Sequence, residues 1–164
     1  MNLIVAVSEN WGIGCDGKLL FRIEEDQQYF KAKTIGKVVI MGHTTYKSLP
    51  ASRRPLPNRT NIVLSRAKNL LIPDVITCSS LEEFDTILES YKSEDIFVIG
   101  GEEIYKQLLD RCTVAYVTKI YAELPADKFF PNLDELPEWI LAEESETKYH
   151  NSIAYSFFVY VKEN

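Results

Sequence analysis

The chain of 164 residues has little that could hold a metal or serve a histidine-based nucleophile. Only two histidines occur, His43 and His150, and neither sits in a ligand-spaced cluster. The three cysteines, Cys15, Cys78 and Cys112, are odd in number, widely separated and without a C-x-x-C pair. That usage argues against zinc and against a disulfide framework, and it suits a reducing compartment with free thiols. Positive charge is also short: 18 Lys and Arg stand against 24 Asp and Glu, a net charge of −6. An extended phosphate-tracking surface is thereby disfavoured, so nucleic acid is not an expected partner. No apolar run approaches the length of a membrane span, and the N-terminal "LIVAV" is too short for a signal core and lacks preceding basic residues. The expectation is a cytoplasmic protein with no membrane association and no metal. Repeats, low-complexity tracts and Gly/Ser linkers are absent too, so residues 1–164 read as one domain.

What is present is a run of short β-branched segments: "LIVAV", "KVVIMG", "TNIVLS", "VITC", "IFVIGG", "VAYVTKIY", and finally "EWILAEE" and "AYSFFVYV". Helical patterns lie between them at 23–34, 44–49, from Ser80 with the capping box Ser80-x-x-Glu83, and from Glu102. Strand and helix alternate to about residue 120, which implies right-handed crossovers and parallel pairing; the last two strands follow without a helix and should be antiparallel. The expected fold is α/β: a central mixed, mostly parallel twisted sheet of about eight strands with an antiparallel C-terminal edge, flanked by about four helices. In such sheets ligands bind beyond the carboxyl ends of the strands.

Three features gather at that end. In "LLFRIEEDQQYFKAKT" the 100° helical step puts Ile23, Asp26, Phe30 and Thr34 on one stripe, so Asp26 faces the apolar side. A first-turn acid favoured by the helix dipole is the plainer explanation of "EED". The strands "VVIMG" and "FVIGG" each end in glycine and feed a helix start, at His43–Thr45 and after Gly100-Gly101, where backbone amides could meet a phosphate-bearing ligand. Arg66 stands just past a third strand, placed to bind a terminal phosphate. By contrast, Gly12, Gly14 and Gly17 match G-x-G-x-x-G but follow the polar "SEN" and open no helix. They read as a long loop, with a mobile lid as one possible role, and not as a dinucleotide fingerprint.

Asp26, "VVIMGHTTYKSL", "RPLPNRTNIVLSR" and "FVIGGEEIYKQLL", in this order and spacing, resemble the dihydrofolate reductases, and the resemblance extends over nearly the whole chain. It implies NADPH-dependent reduction of 7,8-dihydrofolate to 5,6,7,8-tetrahydrofolate in one-carbon metabolism, with Asp26 as the catalytic acid. Asp26 and Thr118 would hold the pterin ring with backbone groups of Ile4, Val5 and Ile99. Phe21, Phe30, Leu49 and Leu56 would line the slot, and Arg59 would pair in a fork with the glutamate carboxylate. For the cofactor, the resemblance implies Ala6, Ile13 and Tyr105 beside the nicotinamide, Thr45 and Gly100-Gly101 near the pyrophosphate, and His43 and Arg66 near the 2′-phosphate. Gly14, Leu19, Gly42, Thr44, Leu64, Ser65, Ile99, Glu102, Glu103 and Ile104 would complete that contact, and the Asn10–Leu20 loop would close over the nicotinamide.

The chain departs from the family at four places. Phe21 stands where Trp is usual, Leu20 and Glu24 where Pro is usual, and Glu103 where a basic residue is frequent. Leu19 keeps the family's large apolar residue. The expected partners are dihydrofolate and antifolate inhibitors, with the protein a monomer. Two other readings are a same-fold reductase of a ribityl-aminopyrimidine in riboflavin synthesis and a non-catalytic nucleotide-binding module.

Overall fold

The computed structural model describes residues 1–163. Strands β1 (Asn2–Val7), β4 (Val38–Gly42), β5 (Thr60–Leu64), β6 (Ile76–Cys78), β7 (Ile96–Gly100), β8 (Val114–Ile120), β10 (Trp139–Glu144), β11 (Lys148–His150) and β12 (Ile153–Lys162) form the main sheet. Its order is β10-β12-β8-β1-β7-β4-β5-β6, and β11 pairs with β12. Every pairing from β8 to β6 is parallel; β12 pairs antiparallel with both β8 and β10. Four α-helices accompany it: α1 (Glu24–Thr34), α2 (His43–Ser48), α3 (Leu81–Leu88) and α4 (Glu102–Leu108). The expected fold class is therefore observed.

Side-chain alternation divides the apolar strands between two cores. Val38 and Ile40 of β4 join Leu3, Val5, Ile62 and Val98 on one face, while Val39, Met41 and Val63 pack on the other with Tyr46 and Leu56. Phe30 of α1 and Leu49 border the second core. The cap of α3 forms, with Ser80 Oγ accepting from Glu83 N at 3.1 Å, but the returning Glu83 carboxylate accepts from Ser79 N and Ser79 Oγ instead of from Ser80.

The register of the central strands opens a cleft. β1 pairs with β8 along all six of its residues, yet with β7 only at Asn2 and Leu3. β7 continues along β4, with Ile99 as an extra residue between the pairs Ile40–Val98 and Met41–Gly100. Such an insertion bends its strand. Beyond Leu3 and Val98 the two middle strands no longer pair, and it is outside such carboxyl ends that open α/β sheets bind ligands.

The segment expected as a long loop contains a hairpin: β2 (Gly12–Cys15) and β3 (Lys18–Leu19), extended by β9 (Lys128–Phe129) into a small second sheet. Glycine-rich segments disguise strands, because glycine weakens them. Here Gly12 is required by close approach, since a Cβ would lie 2.6 Å from Ala126 Cβ. The legible signal was Asp16-Gly17: both residues have positive φ, 51° and 76°, the pattern of a two-residue hairpin turn. Gly12, Gly14 and Gly17 thus belong to a hairpin and not to a strand-to-helix phosphate turn.

Candidate active site

Helix α1 has few buried positions, so its seating depends on one stripe. Ile23, just before the helix, and Thr34, at its end, are buried; Asp26 and Phe30 between them are half-buried. The inward carboxylate is therefore observed. Thr118, buried on β8, donates its hydroxyl hydrogen to Asp26 Oδ1 at 2.6 Å. Two effects oppose each other at this acid. Burial, the larger, raises its pKa above the ordinary value, and the threonine hydrogen bond lowers it; the net shift is upward. Ala6 lies directly across from Thr118 in the β1–β8 ladder. Phe21 and Ala6 pack against the cluster of Ile23, Ile120 and Tyr155, which closes this end of the slot.

At the other end Arg59 is fixed by the end of α1 and by its own loop. Its Nε donates to Pro57 O at 3.0 Å and its Nη1 to Thr34 Oγ1 at 3.1 Å, with the guanidinium 6.0 Å from the Phe30 ring centre. Leu56 is clamped by Asn61, which accepts from Leu56 N and donates to Leu56 O, both at 3.0 Å. The fold thus brings together Asp26, Thr118, Phe30, Leu56 and Arg59, with Leu49 beside them.

Across the cleft the site is made of backbone. Gly42 precedes α2, and a Cβ there would lie 3.1 Å from Ile104 Cγ1. A Cβ on Gly101 would lie 3.1 Å from Thr45 Oγ1, and one on Gly100, whose φ is 128°, would meet the Tyr105 ring at 3.4 Å. Tyr105 is buried and donates to Ile4 O at 2.7 Å, joining α4 to β1 just beyond the last β1–β7 pair. The peptide Gly100-Gly101 is cis. His43 and Thr45 are half-buried and Thr44 exposed; Leu64 and Ser65 are half-buried at the end of β5, with Arg66 exposed beyond them.

Two acids expected near the cofactor differ in surroundings. Glu103 is exposed, whereas Glu102 accepts from Phe129 N at 2.6 Å and faces Lys106 at 3.5 Å, tying α4 to the small sheet. Gly14 O in turn accepts from Asp127 N at 3.0 Å, Ile13 borders the main core, and Leu19 is 71% exposed on β3. The hairpin is rooted by contacts that leave no mark in the local sequence. Trp11 stacks on Phe130 at 6.2 Å, and Phe130 meets Tyr105 edge-on at 4.9 Å. Lys119 lies 5.2 Å from the Trp11 ring centre and 2.8 Å from the Asp134 carboxylate. Trp11 thus meets Phe130 and Lys119 more than a hundred residues away, and the nearer pairs, Tyr105–Phe130 and Lys119–Asp134, share no periodicity. Among the described residues, Cys15, Asp16 and Asp127 place possible ligand atoms within 4.8 Å of one another, but Asp127 Oδ2 is already engaged, accepting from Asp16 N at 3.0 Å in the hairpin turn.

The family model for dihydrofolate reductase matches residues 1–162. This chain belongs to the dihydrofolate reductase family. Among its relatives, dihydrofolate reductase of Drosophila melanogaster is 40% identical over 146 residues, covering 82% of this chain and 80% of that one. The enzyme of Neisseria gonorrhoeae is 35% identical, covering 98% of this chain and 97% of its own. The bifunctional dihydrofolate reductase-thymidylate synthase of Daucus carota is 34% identical, and there the chain spans 33% of the relative's length. A solved dihydrofolate reductase from Enterococcus faecalis, complexed with NADP(H) and RAB-propyl, superposes with a TM-score of 0.86 at 29% identity, covering 99% of this chain and 96% of that one.

Proposed function

We propose that the protein reduces 7,8-dihydrofolate to 5,6,7,8-tetrahydrofolate with NADPH, delivering hydride to C6 and a proton to N5. The observation that carries this reading is the inward Asp26 carboxylate with Thr118 donating to it, at the carboxyl ends of a divided sheet. Both alternatives are weaker: the Asp26–Thr118 pair and Arg59 together suit a flat pterin bearing a glutamate tail.

The cradle fits NADPH. Glycine at 42 and 101 keeps away side chains that would press on Ile104 and Thr45, Gly100 takes a φ of 128° that a side chain disfavours, and these turns present amides with His43, Thr45, Ser65 and Arg66 nearby as donors. When bound, NADPH supplies the hydride. Tyr105 and Ala6 would flank the nicotinamide, while the Asn10–Leu20 segment would act as the lid that excludes water. Asp26 grips the amino and N3 edge of the pterin and favours protonation of N5 without touching it, the proton arriving through water. Its raised pKa suits that task, because a carboxyl that keeps its proton to higher pH offers acid nearer neutrality. Phe30 and Leu56 sandwich the benzoyl portion, and Arg59 takes the glutamate carboxylate. The remaining partners are antifolates; a monomer is proposed, and the unpaired Cys15, Cys78 and Cys112 suit a cytoplasmic setting.

Cofactor oxidation on adding dihydrofolate tests the reading. Turnover with dihydrofolate, faster with NADPH than NADH, is expected. Turnover only with a ribityl-aminopyrimidine, or none with either substrate, would replace it with one of the alternatives.

A further inference from the structure

Helix α1 carries the acid, yet its start is unsupported in the usual way. Ile23 occupies the N-cap with no side-chain cap. The support comes instead from the C-terminal strand. Tyr155 of β12, 1% exposed, donates its hydroxyl hydrogen to Glu25 Oε2 at 2.6 Å, and Lys148 of β11 lies 3.2 Å from Glu25 Oε1. One turn along α1, Tyr29 stacks on Phe157 at 4.2 Å and 15°. In the β8–β12 ladder Tyr155 pairs with Ile120 and Phe157 with Thr118. Two contacts to β12, at Glu25 and Tyr29, therefore bracket the Asp26–Thr118 hydrogen bond to β8. Lys148 is held from its other side by Glu146 at 3.3 Å.

We propose that Glu25, gripped by Tyr155 and Lys148, is a positioning residue that sets the height of the first turn of α1 above β8 and so holds Asp26 within reach of Thr118 and the pterin. The proposal rests on the reductase reading above. The Glu25 carboxylate is turned to Tyr155 and Lys148, not to Thr118, so it acts through the backbone it shares with Asp26. A side chain as short as aspartate cannot follow a displaced helix turn, so loss of the grip moves the carboxylate from the ring edge it must meet. Misplacement on the order of 1 Å costs up to about a hundredfold in rate.

The test is steady-state kinetics of Glu25→Ala, Glu25→Gln, Tyr155→Phe and the double variant Glu25→Ala/Tyr155→Phe, with NADPH affinity measured by fluorescence. Glu25→Ala should raise the dihydrofolate KM and lower kcat by about tenfold, with NADPH affinity unchanged, because the cofactor side does not rest on α1. Glu25→Gln keeps an acceptor for Tyr155 and should recover most of the loss. Tyr155→Phe, which leaves the Lys148 contact in place, should reproduce part of the Glu25→Ala loss, and the double variant should be no worse than Glu25→Ala, as for two ends of one contact. Wild-type kcat and KM in Glu25→Ala, even with a lowered melting temperature, would overturn the positioning role, as would effects that multiply in the double variant. No turnover by the wild type with dihydrofolate would instead sink the reductase reading itself.

Discussion

The two walls of the cleft are built from different material. On the α1 side the site is made of side chains held by side chains: Asp26 by Thr118, Arg59 by Thr34 and Pro57 O, Leu56 by Asn61. On the α2 and α4 side it is made of glycines whose neighbours already fill the space a Cβ would take. The first wall supplies charge and acidity, so its substitutions should alter chemistry and substrate binding. The second supplies close approach, so its substitutions should alter shape, stability and cofactor binding.

Asp26→Asn should break the first wall most severely, cutting turnover at neutral pH by about a hundredfold or more, with NADPH affinity retained and partial recovery in acid, where the substrate arrives protonated. Near-normal turnover across the pH range would reject the role. The same change should stabilise the fold. Asp26 has a folded pKa above its ordinary 3.8, so between that pH and the raised value the folded state binds more proton than the unfolded chain. Stability therefore falls as pH rises through that window and stays lower above it. Thermal melts should show Asp26→Asn melting higher than wild type at pH 7, the gap closing as pH drops below 3.8.

Arg59→Lys tests whether the far end of the same wall is a fork or merely a charge. Loss of the bidentate pair should raise the dihydrofolate KM by about tenfold to a hundredfold, leaving the KM of dihydropteroate, which has no glutamate, unchanged; equal effects on both would remove Arg59 from the carboxylate. On the opposite wall, Gly100→Ala forces a side chain into φ 128° and against the Tyr105 ring, which holds Ile4 O. A loss of about 1–3 kcal/mol in denaturant unfolding is expected, with NADPH affinity falling more than dihydrofolate affinity. Arg66→Ala should produce the smallest change, because Arg66 is exposed: fold and kcat intact, but a lower preference for NADPH over NADH. An unchanged cofactor ratio would remove it from the phosphate site.

This contrast also explains what could be read from residues alone. The strands of the central sheet are nearly continuous apolar runs, so the sheet was legible; the stripe Ile23, Asp26, Phe30, Thr34 set a carboxylate inward, but a first-turn acid explained it as simply until the family resemblance singled it out. Gly42 and Gly100-Gly101 pointed to close approach, but the atoms that enforce it, Ile104, Thr45 and Tyr105, emerge only when strand ends and helix starts are brought together. The small sheet hid behind glycines that seemed to describe a loop. The Glu25–Tyr155 and Trp11–Lys119 contacts were invisible, since each joins positions 130 or about a hundred residues apart with no shared periodicity.

The most direct measurement is a carbon-detected NMR titration of the Asp26 side-chain carboxyl, in the wild type and in Thr118→Val. A pKa above 3.8 in the wild type, moving higher when the threonine donor is removed, is the expected result, because burial raises it and the hydrogen bond alone opposes burial. A wild-type carboxyl titrating at or below 3.8, and indifferent to Thr118→Val, would contradict the account.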